Sequence, residues 1–234
     1  MEEIKVQETL QAIRKRLRLA MNGVIASSMR EKGMQYKLIF GVPFPEIRQI
    51  ASGFEPDADL AEALWQADVR ELKLLATMLY PASQFRLITA QCWITEIPYM
   101  EVAEQAARFL YARMPESDEA LLRLLYNRKA PFARSVAFLA LMHRMAAGET
   151  IQHNLFNAFW IESIRSLTSA SFQASWNEKQ AALKALKQYE RQSEEQARRV
   201  LLELAYLRQS DQPELREIYE DLHFEWEYTW GFHK

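Results

Sequence analysis

The sequence predicts an all-α protein, built as an α-solenoid of about five to six helix pairs with a concave face. Three observations carry that reading. Only six of the 234 residues are glycine, less than half of the roughly 7% usual in globular chains, so the turns of a β-sandwich and the phosphate loop of a Rossmann fold are poorly provided for. Apolar residues recur every three or four positions along nearly the whole chain, and alternation is rare. Prolines (Pro81, Pro98, Pro115, Pro131, Pro213) stand between the periodic segments rather than inside them.

Taken in order, the pattern predicts helices over 4–20 and 25–36, then a short one from Pro45 to Ser52. Pro45 is expected at the first helical position, where a missing N–H costs nothing. From there the chain reads as pairs: 58–66 with 70–80, 84–95 with 98–112, 117–126 with 131–146, 151–167 with 176–190, and 193–207 with 213–222. Second helices recur at intervals of about 28 to 45 residues, the period of a HEAT-like solenoid in which neighbouring pairs bury each other's apolar faces. No linker divides the chain, so one domain over 1–234 is expected. It would hold N-terminal helices over 1–40, helix pairs over 41–222 and an aromatic, acidic cap over 223–234. A single helical bundle is the competing architecture; the regular pairing and short connections favour the solenoid.

Composition narrows the chemistry. Apolar residues make up 49% of the chain, ample for a core and against disorder. No apolar run reaches the roughly 18 residues that span a bilayer, and the acidic N-terminus predicts no secretory signal. A lone cysteine, Cys92, suits a reducing cytoplasm. The four histidines (His143, His153, His223, His233) are scattered, and no phosphate-binding glycine loop, nucleophile elbow or zincin motif occurs. No cofactor and no metal are expected.

Charge is uneven beneath a net value of −2. Residues 1–40 carry eight Lys/Arg against four Glu, with Arg14, Lys15, Arg16 and Arg18 clustered. Residues 120–148 hold Arg123, Arg128, Lys129, Arg134 and Arg144 and no acid. On the predicted helix 176–190, Lys184, Lys187 and Arg191 share a face opposite Ala182, Leu183, Leu186 and Tyr189, with Gln180 one turn earlier. Residues 211–227, by contrast, contain seven acids and only Arg216. Local charge, not the total, sets phosphate contact, so the basic segments permit a DNA-facing surface. The alternative is a set of ordinary solvated helix faces.

"FGVPFPEIRQIA" (Phe40–Ala51) followed by "LWQADVRELKLLATMLYP" (Leu64–Pro81) resembles the entry region of the DNA alkylation repair family, the HEAT-like-repeat alkylpurine DNA glycosylases of the AlkD type. The likeness continues through "WITEIPYMEVAEQ" (Trp93–Gln105), "RKAPFARSVAFLAL" (Arg128–Leu141) and "KQAALKALKQY" (Lys179–Tyr189). It implies binding to duplex DNA, damaged or branched. It also implies release of positively charged alkylated purines, such as 3-methyladenine and 7-methylguanine, without a cofactor. A cationic base leaves readily, so such an enzyme mainly stabilises the oxocarbenium-like sugar electrostatically.

Carried over by position, the family's Trp and Asp fall on Tyr99 and Ala103, its phosphate-contacting Arg on Arg134, and its second Trp on Lys184. Ala103 cannot stabilise a cation, so Glu104 or Glu101 is the candidate carboxylate and Tyr99 the aromatic surface. Lys129, Arg134, Lys179, Lys184 and Lys187 are the candidate DNA-binding residues. Glu104 and Arg108 form an expected i,i+4 surface pair. Trp65, Trp93 and Trp176 are expected to pack in the core. The aromatic tail His223–Lys234 reads as a solenoid cap or as a docking segment for a protein partner. Three functions follow: a glycosylase-like DNA-binding protein, a non-catalytic binder of DNA structures, and a protein-interaction solenoid without a nucleic-acid role.

Overall fold

The computed structural model describes residues 2–168 and 174–231. Its helices are α1 (Glu2–Leu19), α2 (Gly23–Glu31), α3 (Phe44–Ala51), α4 (Ala58–Trp65), α5 (Arg70–Leu79), α6 (Leu87–Glu96) and α7 (Met100–Ala106). Then follow α8 (Ser117–Tyr126), α9 (Ala133–Ala146), α10 (His153–Thr168), α11 (Trp176–Glu190), α12 (Glu194–Glu203) and α13 (Pro213–Trp230). Side chains set several starts by accepting otherwise orphaned N–H groups. Asn22 caps α2, Asp57 caps α4, Ser175 caps α11 and Ser193 caps α12. No strand ladder occurs among the described residues; Leu38 and Val69 form an isolated parallel bridge.

Four local expectations are corrected. The second helix ends at Glu31 instead of running to 36, because Gly33 takes a positive φ of 94° that a right-handed helix cannot continue through. Phe44 opens α3, so Pro45 sits second, still within the first turn. The helix predicted over 98–112 is α7 followed by a π-helical turn, Ala107–Tyr111, closed by the Ala112 N–H on the Ala107 carbonyl at 3.0 Å. The final helix runs on to Trp230, past the predicted 222.

The chain forms two units. The first comprises Met1–Thr89 with Arg113–Pro115. There α4 pairs with α5, α3 lies against α5, and α1 packs on α3 and α4. Ile13, Leu17, Ile47, Leu64, Leu72, Leu75 and Trp65 are fully buried, so Trp65 is a core residue as expected. The motif segment Phe40–Val42 is fastened from inside. The buried Glu71 carboxylate accepts N–H groups from Phe40 (3.1 Å), Gly41 (2.9 Å) and Val42 (3.3 Å), while Arg70 donates to Glu71 and to the Val42 carbonyl.

The second unit comprises Ala90–Ala112 and Glu116–Lys234. Its centre is α9, buried on every side from Ala133 to Leu141, a stretch that is apolar apart from Arg134 and Ser135. It packs against α7, α8, the π-turn and α11. Further pairs are α10 with α11 and α12 with α13. Cross-links show the direction of the second helices. Arg134 at the start of α9 meets Glu178 at the start of α11, and Gln192 just past α11 reaches the Met145 carbonyl near the end of α9. Lys179, Lys187 and Arg191 likewise meet Glu214, Asp221 and Glu225 in ascending order. Thus α9, α11 and α13 run parallel, the arrangement that stacked helix pairs require. Trp93 is buried at 2% exposure, and Tyr111 is fully buried with its hydroxyl donating to the Ala90 carbonyl at 2.6 Å.

Candidate nucleic-acid interface

Tyr99 is the residue before α7, with extended backbone, and is half-buried. Glu101 and Glu104 lie on the partly open side of the helix, whereas Val102, Ala103 and Ala106 are fully buried. The position that the resemblance gives to an aspartate is therefore walled into the core, where a charge would be costly to desolvate. Glu104, the next residue, does reach the open side.

Glu104 does not pair with Arg108 as expected. Its Oε1 lies 3.8 Å from Nζ of Lys184 on α11. Arg108 lies at the start of the π-turn that follows α7. Arg108 instead stacks over Phe109, 5.5 Å from the ring centroid. Both members of the Glu104–Lys184 pair are about half exposed, so the pair contributes roughly 0–1 kcal/mol and leaves both groups accessible to a ligand.

Arg134 occupies quite another environment. It is only 3% exposed. Its Nε donates to Glu178 at 2.6 Å and its Nη1 to Glu162 at 2.5 Å and to the Leu125 carbonyl at 3.1 Å. Its Nη2 meets Ser166 and the Glu162 carbonyl. Arg128 and Arg165 add further bonds to Glu162, each at 2.7 Å. Burial raises the Glu178 carboxyl above its usual range, against the lowering effects of the Ser166 hydroxyl and Arg128. The guanidinium that sequence position assigned to a phosphate is thus committed to an interior network tying α9, α10 and α11 together. We remove Arg134 from the phosphate-contact set on that ground.

The lysines divide. Lys129 is exposed in the turn before α9. Lys184 is exposed and faces α7. Lys179 and Lys187 turn toward α13, at 3.9 Å from Glu214 and 2.6 Å from Asp221. Sequence reasoning treated the acidic tail as a separate segment and missed that it lies along this basic face. Only the similar spacing of 214, 221 and 225 against 179, 187 and 191 carried a signal. Trp176, expected to pack, is 73% exposed at the first turn of α11, beside a groove of about 400 Å3 between α11 and α13. The tail is partly buried: Leu222 and Glu225 face inward and the Trp230 indole donates to the Glu190 carbonyl at 3.1 Å, while Phe224 and Tyr228 remain exposed. Residues 232–234, including His233, lie outside the described residues.

No group of three or more His, Cys, Asp or Glu residues among those described is placed to hold a metal ion. No described helix is long and apolar enough to cross a membrane.

A family model for DNA alkylation repair enzymes matches residues 13–158, more than half of the chain. The protein belongs to that family. No curated protein sequence matches it. Among solved structures, it is similar to a member of a protein family related to the HEAT-like repeat DNA glycosylases with affinity for branched DNA structures. That likeness has a TM-score of 0.69 at 11% identity and covers 92% of this chain and 94% of the other. The fold of this family member is accordingly the HEAT-like repeat fold of those glycosylases. The matched residues 13–158 include Tyr99, Glu101, Glu104 and Lys129, while Lys179, Lys184 and Lys187 lie beyond them.

Proposed function

We propose that this family member is a DNA-binding protein of the alkylation-repair type. It meets duplex or branched DNA with the open side of α7, the turn before α9, and α11. Lys129 and Lys184 contact phosphates there, and Tyr99 offers an aromatic surface. The observation that carries the reading is the exposed Glu104–Lys184 pair, which brings a carboxylate and a cation from two separate helices to one solvent-facing place. If a cationic alkylated purine is released, Glu104, or Glu101 one turn earlier, is the group that stabilises the sugar cation.

A second reading, binding without excision, is favoured by the same pair. An ammonium 3.8 Å from Glu104 offsets the carboxylate's field at the point where a sugar cation would need it. One experiment separates the two. Wild-type protein is incubated with methylated duplex, and both DNA binding and free 7-methylguanine are measured. Binding with release that Glu104→Gln or Glu101→Gln abolishes supports excision. Binding without release supports the second reading. No binding even at low salt removes both.

A further inference from the structure

The cations of α11 are unequally placed. Lys184 faces Glu104 of α7, whereas Lys179, Lys187 and Arg191 each face a carboxylate of α13. The two halves of α13 are also held differently. Its later half is anchored through buried Leu222, through Arg191–Glu225 at 2.6 Å and through the Trp230–Glu190 hydrogen bond. Its earlier half borders the open groove of about 400 Å3, whose walls include Lys179, Gln180 and Leu183 of α11 and Glu214, Ile218 and Asp221 of α13. There the two helices meet around open space instead of interlocking, and the ion pairs cross its rim. Glu214 is 82% exposed and Asp221 45% exposed at their side chains. The lysine side chains are less open, Lys179 at 34% and Lys187 at 21%, but each pair presents its acid to solvent, where an incoming anion can exchange with it.

We propose that the first half of α13 is an internal competitor for the DNA backbone. Glu214 and Asp221 occupy Lys179 and Lys187 and withhold them from phosphate, so that freeing those lysines switches the protein to a tighter, more salt-sensitive binding state. The inference rests on the DNA-binding reading above. A lysine already neutralised by a carboxylate releases no new counterion when it meets a phosphate, because one anion only replaces another. Each lysine set free adds its own contact, and log K then falls more steeply with log salt by about 0.9 per contact.

The test uses the full chain and a fluorescent duplex, titrated across a range of salt. The E214Q/D221N variant should bind at least about tenfold tighter at moderate salt, with a salt slope steeper by about 1.8. Adding K179A and K187A to that variant should return both quantities to wild type. The E220Q/E227Q variant makes the same charge change on the same helix, at residues outside these ion pairs and outside the groove, and should leave the slope unchanged. Thermal melts of each variant confirm folding. If E214Q/D221N and E220Q/E227Q behave alike while Lys184→Ala still weakens binding, the competitor role is overturned and the DNA-binding reading stands. If no form binds DNA at low salt, the reading itself falls and takes the inference with it.

Discussion

Glu71 accepts the backbone N–H of Gly41 at 2.9 Å, across thirty residues of sequence. Together with the bonds from Phe40 and Val42, this contact explains why "FGV" and "RE" are the legible parts of the family pattern. They form a carboxylate-and-amide clasp, charge-balanced by Arg70, that shapes the entry to α3. Gly41 has a φ of 75°, and a Cβ there would lie 2.1 Å from the Asn22 carbonyl oxygen and 2.7 Å from the Ala26 nitrogen. The motif is architectural in this protein.

Substitution of that clasp should therefore cost stability. Glu71→Ala strands three buried N–H groups and should destabilise by about 3 kcal/mol or more. Gly41→Ala should also destabilise, by more than about 1 kcal/mol, since both the φ and the backbone contacts oppose it. Chemical denaturation measures both. A melting point unchanged in Gly41→Ala would contradict the geometry.

The buried network around Arg134 predicts a different signature from a phosphate contact. Arg134→Ala leaves Glu162 and Glu178 without their main partner and should cost about 3–5 kcal/mol. A residue that only touched DNA would leave the melting point alone. Arg134→Lys should recover little, because one ammonium cannot replace the forked set of donors.

Lys184 predicts the reverse pattern. Its pair with Glu104 is open to solvent, so Lys184→Ala should shift stability by less than about 1 kcal/mol. DNA affinity should fall, while the salt slope should change by less than the roughly 0.9 of an unpaired contact, because Glu104 already partly neutralises this lysine. Loss of stability without loss of affinity would assign Lys184 to structure.

Glu190 predicts a pH dependence. It is 1% exposed, and neither carboxylate oxygen has a hydrogen-bond partner among the described residues. Burial, with Glu225 and Asp221 nearby and only partly opposed by Lys187 and Arg191, pushes its carboxyl up to about 9. The unfolded carboxyl gives up its proton near 4.5, while the folded one keeps it until about 9. This group's contribution is therefore fully present below about 4.5, declines as pH rises, and levels off above about 9. Glu190→Gln mimics the protonated form and should flatten that decline. Melting temperatures of both proteins at mildly acidic and mildly alkaline pH check it, and parallel curves would rule the effect out.

Helix existence was legible because an amphipathic period of 3.6 needs only local sequence, and the starts at 58, 70, 117 and 176 match residue for residue. The π-turn at Ala107–Tyr111 was not, since it changes no residue's polarity and only shifts which side chains line up. Nor was the partner of Glu104, which lies on α11 and not four residues along its own helix. Arg134 shows the same limit. A basic residue at a family position looks alike whether it faces solvent or the interior, and two glutamates 28 and 44 residues downstream decided its fate.

Periodicity, proline placement and short motifs are local signals, and they were enough to read the all-helical class, the family, and the pairing of α4 with α5, α8 with α9, α10 with α11 and α12 with α13. How the charges meet was set in three dimensions. The acidic segment and the basic helix lie far apart in the chain, yet parallel stacking sets Glu214, Asp221 and Glu225 against Lys179, Lys187 and Arg191. Charge acts through space over a few ångströms, and sequence distance carries no record of that.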